Sequence, residues 1–346
     1  MTNALKRCLD DIEARLNPDA EEEILGGWKD WAEHKIGSDK LPGLRPKSES
    51  VLEWQHININ DALNDYEKMA IRELEGVHHR LSTGSNFPLR VRCNYGVATV
   101  ATAFGCGLFE MPRQTDTLPN AIKLGGDACL ALVDAPLPDE NAGNFERVWL
   151  MGKLYREIAD SYPKIGRYVH VEQPDLQGPM DNMELLWGSE LFYALVDEPK
   201  AVHALLNKIT AFISRQMNKW LELFPENRGT ASYFRHSARG SLTIRNDSAM
   251  NLSPATFEQF IAPYDQRLLN EFGGIIHFCG RGDHFVPLLA RYDNITGVNM
   301  SQPHLNDMDK VFANTIDKGI HLSLSIDYEP QGVHDWSNLL LLGNDK

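Results

Sequence analysis

The 346-residue sequence has few cysteines and lacks long hydrophobic runs. Its five cysteines form no Cys-x-x-Cys pair, and one would be left over after pairing, so a secreted disulfide framework is not expected. No segment approaches the run of about 18 apolar residues that a membrane-spanning helix needs. The first residues carry charges throughout, without the apolar run of a signal peptide. We therefore expect a cytoplasmic protein that does not span a membrane.

Basic residues are also in the minority, because 48 acidic side chains stand against 34 basic ones and give a formal net charge of −14. This balance argues against nucleic acid or an anionic membrane as the principal partner. Neither of the glycine-rich phosphate-binding patterns GxGxxG and GxxxxGK[ST] is present, so an NAD or ATP site has little support. A small-molecule substrate is the expected partner.

The order of predicted elements divides the chain into two parts. Residues 1–50 are acidic, helix-forming segments interrupted by Gly26, Gly27 and a polar stretch over 37–46, which predicts an N-terminal helical cap. Residues 51–346 alternate between short apolar runs and stretches with helical periodicity, without a linker rich in proline, glycine or serine. We expect them to form one catalytic domain.

Two long helices can be delimited from the sequence. One is expected to begin after Asp197 as N-cap, with a single apolar stripe that ends at Pro225. The other is expected to begin after Ser253, with Pro254 at its first position, and to stop at the glycines 273 and 274. Each predicted helix therefore buries one face.

Five strand-like runs alternate with helical stretches. They are LRVRCNYG near residue 90, RYVHVE near 168, IIHFC near 275, ITGVNM near 296 and IHLSLSI near 321. Each is followed by a polar loop, and such βα alternation without a phosphate fingerprint favours an α/β fold of the (β/α)8 barrel type over a doubly wound sheet. Barrel sites lie at the carboxyl ends of the strands.

His277 and Cys279 are the strongest candidates for chemistry. Because they are two residues apart on a predicted strand, both side chains leave the same face, and Gly280 begins the loop at its carboxyl end. An imidazole and a thiolate are two of the three protein ligands of a catalytic zinc site. A buried cysteine beside a hydrogen-bonded histidine explains the same pattern without a metal.

Further polar residues are expected at the same end of the barrel. His170 and Glu172 share a strand face, and Glu172 would either contact a substrate or metal, or form a salt bridge. His236 and Asp247 lie in or next to YFRHSARGSLTIRND, and Gln302 follows ITGVNM, where carboxamides orient polar substrates. We predict Asp247, His277 and Cys279 as catalytic residues. The largest polar pocket should be lined by Tyr95, Glu172, Asp247, His277 and Gln302.

Three stretches carry a resemblance to a known family. They are GPMDNMELLWGSELFYALVDEPKAV from residue 178, DSAMNLSPATFEQFIAPY from 247, and GGIIHFCGRGDHFVPLLA from 273. In this order they resemble the uroporphyrinogen decarboxylase superfamily over roughly residues 50–330. That superfamily consists of (β/α)8 barrels and contains both decarboxylases and cobalamin-dependent methyltransferases. The resemblance implies a barrel with an N-terminal helical extension.

The methyltransferase branch fits the sequence better than true uroporphyrinogen decarboxylase. The decarboxylases use an arginine-rich early segment and an aspartate on an early strand, whereas this chain has HININDALNDYEKM and NYGVATVATAFG in the corresponding stretches. The methyltransferases bind zinc through His-x-Cys, matched by His277 and Cys279, and through a later cysteine that is absent here. Asp327 is the first candidate for the third ligand and Glu172 the second.

The resemblance implies transfer of a methyl group between a corrinoid carrier protein and a small nucleophile, a thiol or folate, with zinc assistance. Substrate-binding roles are expected for Tyr95, Glu172, His236 and Gln302. Two alternatives stay open on the sequence alone. One is a decarboxylase of a polycarboxylate that needs no cofactor. The other is a non-catalytic barrel subunit that binds a corrinoid protein.

Overall fold

The computed structural model describes residues 1–233, 236–325, 328–329, 331–332 and 334–342. For residues 232, 233, 236 and 325 the description is confined to the backbone.

Helices make up most of the regular structure in the described ranges. They are α1 (Asn3–Arg15), α2 (Pro18–Ala32), α3 (Ile59–Ala62), α4 (Tyr66–Thr83), α5 (Thr99–Ala103), α6 (Gly126–Leu132), α7 (Phe145–Ser161), α8 (Pro163–Tyr168), α9 (Pro179–Trp187), α10 (Leu191–Asp197), α11 (Pro199–Leu223), α12 (Pro254–Phe260), α13 (Ala262–Phe272), α14 (Val286–Leu289) and α15 (Met308–Ala313). No helix in this part of the chain is long and apolar enough to cross a membrane.

The strands of the described ranges fall into two parallel groups and two antiparallel hairpins. They are β1 (Leu89–Arg92), β2 (Gly107–Phe109), β3 (Asn120–Ile122), β4 (Val169–Glu172), β5 (Thr230–Tyr233), β6 (His236–Arg239), β7 (Leu242–Arg245), β8 (Gly274–Phe278), β9 (Ile295–Met300), β10 (His321–Ser325) and β11 (Leu339–Leu342). β1 pairs with β4, and the second group has the order β7-β8-β9-β10-β11. β2 pairs with β3, and β5 with β6.

Side-chain contacts join the two parallel groups. The Gln173 carboxamide follows β4, donates to the carbonyl oxygen of Thr243 on β7 at 3.2 Å, and accepts from the Thr243 N–H at 2.9 Å. The parallel strands and their helices confirm the predicted α/β class. Hydrogen bonding between the strands of the described residues does not close a barrel, so the (β/α)8 barrel stays a prediction.

The register places apolar and polar side chains on opposite faces of the five-stranded sheet near the carboxyl ends of its strands. Ile276 of β8 and Val298 of β9 are opposite each other and belong to the main hydrophobic core. The next positions, on the other face, are polar, because Arg245, His277 and Asn299 are opposite one another on β7, β8 and β9. His277 and Asn299 are 1% and 3% exposed. Polar groups therefore lie inside the molecule at the carboxyl ends of these strands.

The predicted helix boundaries are confirmed in part. Helix α11 begins at Pro199 and ends at Leu223, two residues before Pro225. Its N-cap is Glu198 and not the predicted Asp197, which is the last residue of α10. Ser253 caps α12 by accepting from the Thr256 N–H at 3.1 Å. The second predicted helix is nevertheless two helices, because the chain breaks at Ile261 and restarts with Pro263 in the first turn of α13.

The predicted division into a cap over 1–50 and a catalytic domain over 51–346 is not tested by the packing and stays a prediction. Leu5, Leu9 and Ile12 of α1 join the main core, whereas Trp28 and Trp31 of α2 form a second cluster with Phe87 and Leu340.

Candidate metal centre

Three of the predicted residues meet at the carboxyl ends of β7 and β8. Asp247 follows β7, His277 lies near the end of β8, and Cys279 is the residue after β8. One ligand atom from each lies within 4.8 Å of the others. His277 Nε2 is 3.4 Å from Cys279 Sγ and 3.4 Å from Asp247 Oδ1. The three predicted catalytic residues therefore form one cluster of nitrogen, sulfur and oxygen donors.

The orientation of the His277 ring is set from the neighbouring strands. His277 Nδ1 is 2.5 Å from Asn299 Oδ1, and Asn299 Nδ2 donates to Ser323 Oγ at 2.7 Å. Because the Asn299 carboxamide oxygen only accepts, Nδ1 carries the proton in the neutral ring. Nε2 is then the ring nitrogen with a lone pair for a metal ion, the arrangement expected of a metal-binding histidine.

Asp247 is held at three points. Its N–H donates to Asp181 Oδ2 at 2.9 Å, and its Oδ1 accepts from the Cys279 N–H at 2.8 Å. Its Oδ2 is 3.1 Å from Arg245 Nη2. Asp181, which is 5% exposed on α9, also accepts from the Ser248 N–H at 2.9 Å. Helix α9 thus fixes the short loop that carries Asp247.

Arg245 lies between two carboxylates. Its Nη1 is 3.1 Å from Asp175 Oδ2, while its Nη2 contacts Asp247. Asp175 also accepts from Gln177 Nε2 at 2.7 Å. The guanidinium therefore contacts Asp247 Oδ2, and Asp247 Oδ1 lies on the side of His277 and Cys279.

The loop after Cys279 is fixed by two carboxamides. Gln302 Oε1 accepts from the Gly280 N–H at 2.6 Å, and Asn306 Oδ1 accepts from the Gly282 and Asp283 N–H groups at 2.7 and 2.9 Å. Gly280 has a φ of +77°, which favours glycine there. Gln302 is thus near the cluster, as predicted, and its contact is with backbone.

Burial sets the protonation of the cluster. It lowers the pKa of His277, so the ring is neutral at neutral pH. It raises the pKa of the Cys279 thiol, which stays protonated unless a cation is close. Burial and the nearby charge of Asp247 raise the pKa of Asp181 to about 7. Binding of a metal ion would release the thiol proton.

The donor set suits a catalytic zinc site. Zinc accepts nitrogen, sulfur and oxygen ligands, and catalytic sites use three protein ligands with a fourth position for water or substrate. The Asp247 side chain is 33% exposed whereas His277 is 1% exposed, so the cluster is approached from the side of Asp247. Asp247 supplies the oxygen donor in this cluster.

Of the two candidates for the third metal ligand, the structure describes only Glu172. Asp327 lies outside the described residues, so its role stays a prediction. Glu172 Oε1 forms an ion pair with Arg90 Nη1 at 2.9 Å and is not part of the cluster. The salt-bridge interpretation of Glu172 is therefore confirmed, while its proposed substrate contact is untested.

Two of the five predicted lining residues lie at cavities away from the cluster, and a pocket that joins all five stays a prediction. Tyr95 is 2% exposed and lines a cavity of about 280 Å³ with Asp65 and Arg147. Glu172 lines another cavity, of about 250 Å³, with Arg92. Neither cavity is lined by Asp247, His277 or Cys279. β1 and β4 pair apart from the five-stranded sheet, which explains this separation.

His236 is the first residue of β6, and its side chain is not described, so its predicted role stays untested. Sequence reasoning missed Asp181 and Arg245. Arg245 could have been found from its place at the end of β7, which corresponds to that of His277 on β8. Asp181 carries no such signal, because an acidic residue in the first turn of a helix is common.

Comparison with known proteins finds similarity to solved structures. No protein-family model matches the chain, and no curated protein sequence matches it. Among solved structures the chain is similar to a "methyltransferase from Methanosarcina mazei", with a TM-score of 0.58 and 17% identity. The similarity covers 84% of this chain and 81% of that one. It establishes a shared fold, and membership of the uroporphyrinogen decarboxylase superfamily stays a prediction.

Proposed function

We propose that this protein is a methyltransferase-like enzyme that moves a methyl group between a corrinoid carrier protein and a small nucleophile, a thiol or folate. The observation that carries the proposal is the cluster of Asp247, His277 and Cys279 at the carboxyl ends of neighbouring parallel strands. The methyltransferase with the same fold supports it. The proposal includes closure of the strands into a (β/α)8 barrel and a cytoplasmic location.

The three residues would hold a zinc ion, each through one donor atom. When bound, zinc acts as a Lewis acid that lowers the pKa of a substrate thiol. Asn299 holds the proton of His277 on Nδ1 and so directs Nε2 toward the site. Arg245 and the Cys279 N–H hold the two oxygens of Asp247 and keep its carboxylate in place.

The enclosure of the site adds to this chemistry. His277 is almost fully buried, so its interactions with charge are little screened by water. Asp247 borders solvent, and a substrate would enter over this carboxylate. The loop 280–283, fixed by Gln302 and Asn306, forms one wall beside Cys279.

The test is demethylation of methylcobalamin by the zinc-loaded protein with a small thiol such as 2-mercaptoethanol as acceptor. We expect loss of cobalt–carbon absorbance in the wild type and none in Cys279→Ala. Cys8→Ala is the matched control, because Cys8 is a packing residue of α1 and should leave activity unchanged.

Activity retained in Cys279→Ala would contradict the proposal. Carbon dioxide release from a polycarboxylate that survives both chelation and this substitution would instead support the decarboxylase alternative. Association with a corrinoid protein without any turnover would support a binding subunit.

A further inference from the structure

Another cavity, of about 510 Å³, lies at the beginnings of the strands. Its lining includes Pro88 and Arg90 at the start of β1, His170 near the start of β4, and Thr230 at the start of β5. Helix α2 covers it with Trp28 and neighbouring residues. The metal centre lies at the ends of β7 and β8, and none of its three residues lines this cavity. The cavity is therefore separate from the candidate catalytic site.

Positive charge surrounds the cavity although the whole chain is acidic. Lys29, Arg228 and Arg239 line it, and within the described part of the chain none of their side chains forms an ion pair. Two acidic residues also line it, but each is engaged by another basic residue. Glu33 is 2.5 Å from Lys35 Nζ, and Glu226 is 2.8 Å from Arg156 Nη1. Three basic residues thus line the cavity without an ion pair in the described part of the chain.

The inner part of the cavity offers both apolar and hydrogen-bonding surface. The Trp28 indole N–H donates to the Asn86 carbonyl oxygen at 2.8 Å, so its ring contributes apolar surface to the wall. Leu25 adds a second apolar group. The His170 ring has no hydrogen bond with any residue that the structure describes, and burial lowers its pKa, so it is neutral. A neutral imidazole can both donate and accept.

We propose that this cavity binds a small organic anion with an aromatic or other apolar body, its charge held by Lys29, Arg228 and Arg239 and its body by Trp28 and Leu25. The volume lies within the range of about 300–1,000 Å³ that is typical of small-molecule sites. Guanidinium groups bind carboxylate and phosphate oxygens through charge-assisted hydrogen bonds. This site is independent of the proposed methyl transfer.

The probe is anilinonaphthalene sulfonate, an aromatic anion whose fluorescence rises in an apolar site. We expect one saturable site in the full-length protein and roughly tenfold weaker binding in the double variant Arg228→Gln, Arg239→Gln, from the loss of two charge-assisted contacts. Arg291→Gln is the matched control, because Arg291 is exposed and does not line the cavity. Its affinity for the probe should equal that of the wild type.

Competition then identifies the natural class of ligand. Displacement of the probe by benzoate but not by inorganic phosphate supports an organic carboxylate. Displacement by both supports an anion site and overturns the requirement for an apolar body. Absence of saturable binding, or equal affinity in the double variant and the wild type, overturns the proposal. None of these outcomes depends on Cys279, so failure of the methyl-transfer proposal would be seen separately.

Discussion

Asp265 is a fully buried carboxyl group on α13, and burial raises its pKa to about 8. Asn246 Nδ2 donates to its Oδ2 at 2.6 Å, and no donor to Oδ1 is found among the described residues. The neutral acid is therefore favoured in the folded state. Its contribution to stability is fully present below about pH 4, near the unfolded pKa, and is lost as the pH rises through about 8.

We predict that Asp265→Asn removes this loss, because the amide is neutral at every pH and still accepts from Asn246. The free energy of unfolding of the variant, minus that of the wild type, should increase by up to about 1.4 kcal/mol for each pH unit between about pH 4 and about pH 8. Urea unfolding at acidic, neutral and alkaline pH measures the difference. A constant difference across this range would show that the carboxyl group is not neutral in the folded protein.

Asp181 contacts the backbone of Asp247 in the candidate metal centre, so we propose it as a positioning residue. The two oxygens of Asp181 accept separately from the backbone N–H groups of Asp247 and Ser248, and Asp181→Asn replaces one of them by an NH₂ group, so one of the two N–H groups loses its acceptor. We predict zinc affinity about 10- to 100-fold weaker, measured by competition with a chelating dye. Glu184→Gln is the control, since its amide oxygen can still accept from the Ser248 hydroxyl group. An equal loss of zinc affinity in both variants would indicate a general effect on α9.

The sequence predicted His277 and Cys279 as neighbours because a two-residue spacing on a strand places side chains on one face. It also placed Asp247 among the catalytic residues. The sequence did not indicate that Asp247 would be the oxygen donor beside them, because that depends on the register between β7 and β8. Register is set by pairing along whole strands, and a local sequence pattern does not determine it.

At the scale of elements, a buried ion pair connects α2 to the segment between α2 and α3. Arg45 Nε and Nη2 contact the two oxygens of Glu21 at 2.8 and 3.0 Å, and both side chains are 1% exposed. Arg45 also donates to the Phe87 carbonyl oxygen at 2.8 Å. Removing one member would leave a buried charge without compensation.

We predict that Arg45→Met lowers the free energy of unfolding by about 3–5 kcal/mol, because Glu21 is left unpaired. Adding Glu21→Gln should restore part of the loss. Arg113→Met is the control, since Arg113 and Asp61 form a solvent-exposed pair whose loss should change the free energy of unfolding little. Chemical denaturation measures all variants. A small loss in Arg45→Met, similar to that of the control, would contradict the account of how α2 is held.

The positions of helices were predicted better than the breaks between them. The single apolar stripe of α11 and the Ser253 cap of α12 could both be predicted from the sequence, because they depend on residues close in sequence. The break between α12 and α13 was missed, although Pro263 was visible, because the apolar period continues across it. Asp307 caps α15 by accepting from the Lys310 N–H at 3.2 Å. Asn306, the residue before it, instead accepts from the loop beside Cys279.

At the scale of the whole molecule, alternation of strands and helices predicted the α/β class. It did not give the order of strands, which depends on contacts between distant segments such as that of Gln173 with Thr243. The described structure places the candidate metal centre and the proposed anion cavity at opposite ends of the parallel strands. The two sites can therefore be tested independently on the same protein.

The central claim is that one sulfur, one nitrogen and one oxygen donor of this chain bind a catalytic metal ion. X-ray absorption at the zinc edge of the zinc-loaded protein, without thiol substrate, tests it most directly. We predict a single sulfur neighbour at about 2.3 Å and nitrogen or oxygen neighbours at about 2.0–2.1 Å. The sulfur contribution should disappear in Cys279→Ala. Two sulfur neighbours, or none in the wild type, would contradict the account.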